Sequence, residues 1–213
     1  MMRISDLSRQ SGVPVATIKF YLREQLLPPG EATGRNQATY FEEHLRRLQL
    51  IKVFTTIGQL DLTSVRRLLT AIDDESLPVT GLYETLNRVR VTTGDLTPDE
   101  GPAVATARQD VDRLIAGAGW RVRPDAATRS QLAIVLAAMR RLDCDASLSF
   151  FDDYVVAADR LARKEVSRLP LDGVQRAAAL ARGLLLEEAF AAIHRLAVEH
   201  HAERHFPDEP VDS

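Results

Sequence analysis

The sequence has only one cysteine, Cys144, and no long run of apolar residues. A single cysteine forms neither a disulfide within the chain nor a paired-cysteine metal site, which excludes the thiolate chemistry of many metal and redox sensors. The longest apolar run, Gln131 to Met139, is well short of the roughly 18 residues that a membrane-spanning helix needs. The N-terminal stretch lacks the apolar core of a signal peptide. We therefore expect a cytoplasmic protein without a membrane partner.

The motifs of common enzymes are missing as well. The sequence shows no glycine-rich phosphate loop and no nucleophile elbow. Asp152 and Asp153 are adjacent, and neighbouring residues of a helix point in different directions, so they form no catalytic pair. His201 and His205 have a spacing that can bind zinc, yet no HExxH motif is present, which favours exposed histidines at a helix end. We expect no enzymatic activity, no cofactor and no metal site.

The charges are distributed unevenly along the chain. Of 213 residues, 45% are hydrophobic and 27% are charged, which is typical of a globular protein with a real core. The net charge is -3, but residues 1–72 carry 10 Lys and Arg against 6 Asp and Glu, a net of +4. The remaining residues carry 17 against 24, a net of -7. This pattern favours a polyanionic partner for the N-terminal third alone.

Helix signals are dense in this basic third. Ser5 is a plausible N-cap, Gly12 has the residue type that ends helices, and Pro14 suits the first turn of the next helix. Two short helices joined by a tight turn make a helix-turn-helix. In the second helix, Val15, Ile18 and Leu22 form one apolar stripe. The residues that flank or oppose this stripe are Ala16, Thr17, Lys19, Phe20 and Arg23.

A polar segment and two further helices follow. The loop from Leu27 to Tyr40 is long enough for two short strands and a turn at Gly34, which would be a wing. The next helix starts near Phe41 and is expected to end at Gly58. Asp61 is the predicted cap of a fourth helix.

The rest of the chain is predicted to be mainly helical. Residues 73–100 are predicted to be a linker with one short helix, 81–91, and residues 207–213 a disordered tail. Residues 101–206 form a helical domain with four predicted helices: 102–116, 125–142, 147–168 and 171–205. The fold class is therefore mainly α: a winged helix-turn-helix with a small β wing, followed by an all-α bundle. The last helix is apolar over more of its circumference than a bundle needs, so we expect it to form a homodimer interface.

Residues 2–72 resemble the DNA-binding domain of the MerR family of transcriptional regulators. The resemblance is carried by RISDLSRQSGVPVATIKFYLREQLLPP, by GRNQATYFEEHLRRLQLIKVF and by DLTSVRRLL. It implies that the protein regulates transcription, binding a near-palindromic promoter site in double-stranded DNA as a homodimer. It also implies RNA polymerase as a partner at the promoter, and regulation by bending and untwisting of the DNA.

The resemblance further implies which residues contact DNA. The second helix would enter the major groove and the wing would follow the backbone into the flanking groove. The implied contacts are Thr17, Lys19, Phe20, Tyr21, Arg23, Arg35, Asn36, Gln37, Tyr40 and Arg46. Alternatives stay open: Phe20 packs on Tyr40 or Phe41, Tyr21 belongs to the core, or Arg46 and Arg47 lie on a solvated helix face.

The sequence departs from the family pattern after the DNA-binding domain. The long antiparallel coiled-coil helix that the family places there is not visible, because the segment 81–91 spans only about three turns. Dimerisation is therefore expected elsewhere in the chain.

Aromatic residues of the C-terminal half suggest a ligand site. Trp120, Phe151, Tyr154 and Phe190 are candidates to line an apolar cavity for a small organic effector, the alternative being that they are core. A rival function is a helical ligand- or metal-binding protein whose N-terminal domain docks a protein. Salt distinguishes the two, because phosphate contacts make the logarithm of the affinity fall linearly with the logarithm of the salt concentration.

Overall fold

The computed structural model describes residues 1–34, 37–93, 101–168 and 175–205. The fold is mainly α with a small two-stranded sheet, which confirms the predicted fold class. Its elements are α1 (Ile4–Ser11), α2 (Val15–Arg23), β1 (Glu31–Gly34), β2 (Gln37–Thr39), α3 (Glu42–Lys52), a π-helical turn (Val53–Ile57), α4 (Leu62–Asp73), α5 (Val79–Thr93), α6 (Pro102–Gly117), α7 (Ala127–Arg141), a 3-10 turn (Ser149–Phe151), α8 (Asp152–Val166) and α9 (Arg176–His205). Over this part of the chain, no helix combines the length and the apolar character that crossing a membrane requires.

The chain divides into two compact units. One comprises Met1–Val65 together with Ala177–Ser213, and the other comprises Arg66–Arg176. The last helix thus belongs with the N-terminal third, whereas the sequence groups it with the other C-terminal helices. The predicted boundaries at residues 72 and 100 stay predictions, and the predicted tail at 207–213 lies outside the described residues.

The helix-turn-helix and the wing share one apolar core in the first unit. The fully buried side chains Leu7, Ile18 and Leu48 come from α1, α2 and α3, so the three helices pack against each other. The remaining buried members of this core are Val13, Leu27, Tyr40 and Leu45. The core therefore fixes the orientation of α2 before any partner binds.

Of the two N-cap residues predicted from the sequence, the one for α4 is observed and the one for α1 is not. The Ser64 N–H donates to Oδ1 of Asp61 at 2.7 Å, so the predicted cap of α4 is confirmed. The prediction that Ser5 caps α1 is wrong, because α1 begins at Ile4 and Arg3 is the N-cap residue. The Arg3 N–H instead donates to the carboxylate of Asp6 at 3.2 Å. That carboxylate lies three residues inside the helix, where it also complements the macrodipole.

The helical segment that begins with α3 ends at Gly58, as the sequence predicts. The α-helix stops at Lys52 and continues as the π-helical turn, whose C-cap residue is Gly58. Gly58 has φ -71°, which any residue adopts. The left-handed conformation falls on Gln59, with φ 52°. A Cβ at position 58 would lie 2.6 Å from Cδ1 of Leu184 in α9 and 2.9 Å from the carbonyl oxygen of Phe54, so a larger residue would force a shift there. The approach of Leu184 joins residues far apart in the sequence, so no local pattern reveals it.

The second unit is centred on α6 and α7. One core cluster of this unit consists of small and branched side chains: Val104, Ala107, Val111, Ile115, Ala133, Leu136, Ala137 and Ala146. The carboxylate of Asp110 is buried beside this core and accepts hydrogen bonds from Arg140 and Arg113. The Arg140 bond, and then the Arg113 bond, hold the pKa of Asp110 below its ordinary value.

Arg176, the last residue of the second unit, caps the C-terminal end of α4 within that unit. Its side chain is buried and donates only to backbone carbonyls: Leu77 at 2.6 Å, Asp74 at 2.8 Å, Ala71 at 3.2 Å and Ile72 at 3.4 Å. The last carbonyls of a helix have no partner within that helix, so a guanidinium placed there satisfies them and complements the helix dipole.

Candidate nucleic-acid interface

Two serines fix the turn between α1 and α2. The hydroxyl of Ser11 is buried, donates to the Leu7 carbonyl at 2.7 Å and accepts from the Val13 N–H at 3.2 Å. The hydroxyl of Ser8 donates to the Val13 carbonyl at 2.7 Å. Gly12 has φ 64°, the left-handed conformation that glycine adopts without a steric cost, so its predicted role at the helix end is confirmed.

One face of α2 is committed to the core and the other faces outward. Ile18 is fully buried, while Val15 and Leu22 are half-buried beside it. The outer face of α2, formed by Thr17, Lys19, Phe20 and Arg23, has both of its cations exposed. Within the described residues, neither Lys19 nor Arg23 has an ion-pair partner. These two charges are therefore available to a ligand of opposite charge.

The two aromatic residues of α2 occupy different environments. Phe20 is half-buried, and its ring lies 5.9 Å from that of Tyr21. Tyr21 packs against the core of the first unit, and this burial raises the pKa of its hydroxyl. The ring of Phe20 is thus supported on one side and open on the other, a geometry suited to apolar contact with a base such as a thymine methyl group.

The segment after α2 leads the chain back under the helix. Gln25 adopts φ 56°, and the N–H groups of Leu26 and Leu27 donate to the Tyr21 carbonyl at 2.9 and 3.2 Å. Both leucines are buried, so the Leu-Leu-Pro-Pro sequence anchors the exit of the helix-turn-helix. Nε of Arg47 donates to the Leu26 carbonyl at 2.7 Å, which gives this arginine a structural role that its sequence context did not reveal.

The wing is a short antiparallel hairpin tied to the chain start. Glu31 pairs with Thr39 and Ala32 with Ala38. At its base, the backbones of Met2 and Tyr40 exchange two hydrogen bonds of 2.8 Å each. Of the predicted contacts in the wing, Arg35 and Asn36 lie outside the described residues, and so does the side chain of Gln37.

Tyr40 and His44 brace the wing against α3. Tyr40 is only 5% exposed, and burial raises the pKa of its hydroxyl. Its ring meets the ring of His44 edge-on at 5.3 Å. The Phe41 N–H donates to Nδ1 of His44 at 3.1 Å, which assigns the imidazole proton to Nε2, 3.4 Å from the Pro29 carbonyl. The ring of Tyr40 is therefore structural, and its contact with DNA stays a prediction.

The three cations of α3 differ in their interaction partners. Arg46 is exposed and lies 3.9 Å from the carboxylate of Glu42, a weak surface pair. Lys52 is also exposed, and its Nζ would lie 3.1 Å from a Cβ on Gly12, so it sits over the helix-turn-helix turn. Both side chains are exposed, whereas Arg47 donates to the backbone, and phosphate contact by Arg46 or Lys52 stays a prediction.

The four residues proposed for an effector cavity are divided between the two units, and their joint role stays a prediction. Trp120 and Phe151 pack against the core of the second unit, and Tyr154 lies 5.8 Å from Phe151 between ring centroids. Phe190 is on α9, in the first unit, with its ring 6.5 Å from that of His194. Three of the four candidates are thus in one unit and the fourth is in the other.

A metal site is a separate question. The described residues hold no cluster of three or more histidine, cysteine or acidic side chains that could bind a metal ion.

Comparisons with known proteins agree with this geometry. The family model described as "MerR HTH family regulatory protein" matches residues 2–72. The HTH-type transcriptional regulator ZntR homolog of Haemophilus influenzae is 42% identical over 50 residues, which is 24% of this chain and 37% of that protein. The crystal structure of the "putative transcriptional regulator SCO5550" from Streptomyces coelicolor A3(2) matches with a TM-score of 0.70 and 36% identity, covering 98% of this chain and 99% of that one. The chain belongs to the MerR family of helix-turn-helix transcriptional regulators.

Proposed function

We propose that this regulator binds a near-palindromic promoter site as a homodimer, with α2 in the major groove of each half-site. The observation that carries the proposal is the division of α2 into a face locked by Ile18 and an outer face with Lys19 and Arg23 exposed. A helix held in this way matches the width of the major groove, and its side chains reach base edges and phosphates without rearrangement of the core.

The wing supplies the second part of the proposed contact. The chain carries Arg35 and Asn36 between the paired strands β1 and β2, followed by Gln37. The base of this hairpin is held by the Met2–Tyr40 backbone hydrogen bonds, which supports placing a cation there that follows the DNA backbone. In this proposal Arg46 and Lys52 add phosphate contacts from α3.

The proposed homodimer rests on apolar surface that each unit leaves uncovered. In the first unit, Ile193 and Leu196 of α9 are 64% and 65% exposed. In the second unit, α8 has no buried residue, and its Val166 is 63% exposed. Contiguous exposed apolar side chains mark interaction surfaces, and two half-sites related by a two-fold axis require two copies of the chain.

Control of transcription completes the proposal. A small organic effector bound by the helical second unit would change the affinity for DNA or its deformation. RNA polymerase is the partner at the promoter. The energy needed to bend or untwist a promoter depends on its sequence, which gives specificity at base pairs that the protein does not touch.

Selection of bound fragments from genomic DNA, followed by binding measurements with the best fragment, tests the proposal. We expect Lys19→Ala and Arg23→Ala each to weaken specific binding by roughly 1–2 kcal/mol, because each removes a charged group that binds a phosphate or base. The slope of log affinity against log salt should become shallower by about one for each phosphate that the variant no longer neutralises. Arg108→Ala, which removes an exposed arginine in the second unit, is the matched control and should bind normally.

The same experiment distinguishes the rival function. An N-terminal domain that docks a protein would enrich no fragment, and its residual DNA binding would not depend on Lys19 or Arg23. Retention of full affinity by both variants would contradict the proposed role of α2.

A further inference from the structure

A groove lies between the C-terminal end of α6 and the helix α8, within the second unit. It has a volume of about 850 Å³, which is in the range of sites for small organic ligands. One wall of the groove is formed by Gly117, Ala118 and Trp120. The other wall is formed by residues of α8, and its apolar part consists of Val155 and Val156. The groove contains Trp120 but none of the other three aromatic residues that the sequence suggested for an effector.

Trp120 gives the groove a preformed aromatic wall. Its ring packs against the core of α6 and α7, and its Nε1 donates to Oδ1 of Asp159 at 3.1 Å. The hydrogen bond satisfies the polar atom of the indole, so the ring needs no further polar partner. With Val155 and Val156 opposite, the groove offers an apolar slot to the body of a ligand.

The far end of the groove is cationic. It is lined by Arg160, Arg163 and Lys164, against the single carboxylate of Asp159. Arg163 already pairs with Asp159 at 2.6 Å. That bond, and then the Trp120 bond, hold the pKa of Asp159 below its ordinary value, so the carboxylate stays ionised and occupied. Arg160 and Lys164 have no ion-pair partner in the part of the chain that the structure describes.

We propose that this groove binds a small organic carboxylate with an aromatic or aliphatic body. The body lies against Trp120 and the two valines, and the carboxylate is held by Arg160 and Lys164. Hydrogen bonds between charged groups at the edge of an apolar slot give both orientation and selectivity for an anion. The inference rests on the proposed control by a small organic effector, and it adds the chemical class of that effector and the residues that recognise it.

Binding would also change how α8 is held. In the described residues, α8 buries none of its side chains, and the Trp120–Asp159 hydrogen bond ties it to the end of α6. A ligand across the groove would add apolar contact between these two elements. Since α8 carries part of the apolar surface proposed for the homodimer, ligand binding and dimer geometry would be linked.

The single tryptophan makes the groove directly observable. Trp120 is the only tryptophan of the chain, so tryptophan emission of the full-length protein, excited at the red edge where tyrosine does not absorb, reports on this groove. The probe is 4-phenylbutyrate, with 4-phenylbutan-1-ol as the uncharged molecule of the same shape. We expect a saturable change in Trp120 emission with the carboxylate and an affinity at least about tenfold weaker for the alcohol. Calorimetric titration without DNA measures the same affinities independently.

Variants of the cationic end test the recognition of the carboxylate. Arg160→Ala and Lys164→Ala are each expected to weaken 4-phenylbutyrate binding about fivefold and to leave the alcohol unaffected. Arg108→Ala, which removes an exposed arginine outside the groove, should bind the carboxylate normally. Arg160 and Lys164 are exposed, so these variants should keep the thermal stability of the unchanged protein, and circular dichroism verifies that they are folded.

Several results would overturn the proposal. They are the absence of saturable binding, equal affinity for the acid and the alcohol, or unchanged binding by both groove variants. If a second copy of the chain occupied the groove, no saturable binding of the carboxylate would be observed. Because the titration contains no DNA, binding of the carboxylate without any change in operator affinity would leave the site intact and contradict only the proposed effector control.

Discussion

At the scale of single residues, small polar side chains determine whether the DNA-binding helix is correctly oriented. Ser11 is buried in the turn before α2, and its hydroxyl both donates to the Leu7 carbonyl and accepts from the Val13 N–H. Removing the hydroxyl would leave both backbone groups buried without this partner. A buried polar group that loses its hydrogen bond costs more than the bond itself contributes.

We therefore expect Ser11→Ala to lower the free energy of unfolding by about 1–3 kcal/mol. Ser5→Ala, at an exposed position of the same helix, is the matched control and should change stability by less than about 0.5 kcal/mol. Urea unfolding followed by circular dichroism measures both values. Equal stabilities of the two variants would show that the turn does not depend on this hydroxyl.

Asp110 predicts a pH dependence of stability. Its pKa is lowered in the folded protein by Arg140 and Arg113, so the carboxylate contributes stability above its unfolded pKa, which is near 3.9. That contribution is lost as the pH falls through the lower, folded pKa. Asp110→Asn should reduce the melting temperature at neutral pH and show a smaller further decrease between about pH 5 and pH 2 than the unchanged protein.

A neighbouring carboxylate supplies the control for this measurement. Asp112 is exposed and pairs at 2.6 Å with Arg129, which also donates to the carbonyls of Val122 and Arg123, so the guanidinium keeps partners when the carboxylate is removed. Asp112→Asn should therefore melt close to the unchanged protein at neutral pH. A melting curve for Asp110→Asn that follows the Asp112→Asn curve at every pH would contradict the assigned role.

At the scale of helices and strands, the ends of the elements are set by contacts of two kinds. Gly12 and Asp61 act on their immediate neighbours, and their roles could be predicted from the sequence. Gly58, Arg47 and Arg176 act on residues distant in the chain, which no local pattern identifies. This difference explains why the elements themselves were predictable, while the reasons for several of their ends were not.

In the candidate nucleic-acid interface too, local features were predictable from the sequence, whereas contacts between distant residues were not. Arg35 of the wing stays a prediction, whereas the outward-facing cations of α2 were predictable, because an apolar stripe at helical spacing defines by exclusion which side chains face outward. The support beneath them was not, since it depends on packing of Tyr40 and His44 across the wing and α3. The proposed effector residues were inferred from residue type alone, and Phe190 lies in a different unit from the other three.

Arg176 gives a prediction at this scale. Its guanidinium donates to four carbonyls at and after the end of α4, and no other side chain has five donors in a planar arrangement. We expect Arg176→Lys to lower the free energy of unfolding by about 1–2 kcal/mol despite the retained charge, and Arg176→Ala to lower it by about 2–3 kcal/mol. Arg195→Ala, at an exposed position of α9, is the control. Full stability of Arg176→Lys would mean that charge alone is sufficient.

At the scale of the whole molecule, the apolar surface left exposed on α9 is more than a monomer needs. Along the C-terminal half of α9, Phe190, Ile193, Leu196 and Val198 are each about half exposed or more. Side chains of this size contribute roughly 1.5–3 kcal/mol each when they are fully buried. Their burial against a second copy would stabilise the assembly that a palindromic site requires.

We expect Ile193→Glu and Leu196→Glu to shift the protein from dimer to monomer at micromolar concentration, because each places a charge in an apolar interface. Light scattering coupled to size-exclusion chromatography measures the mass. Leu142→Glu, at an exposed position outside both α8 and α9, should remain dimeric. If the unchanged protein is a monomer with and without DNA, the proposed homodimer is wrong.

The contact of Gly58 with Leu184 affects the order in which the protein matures during its synthesis. The helix-turn-helix core uses only residues near the N-terminus, so it can form soon after they leave the ribosome. The remainder of the same unit waits for α9, more than 100 residues later. At 5–20 residues per second this is a delay of roughly 10 s, during which the surface around Gly58 is uncovered. A nascent chain could therefore fold its DNA-reading helices well before it can complete the unit to which they belong.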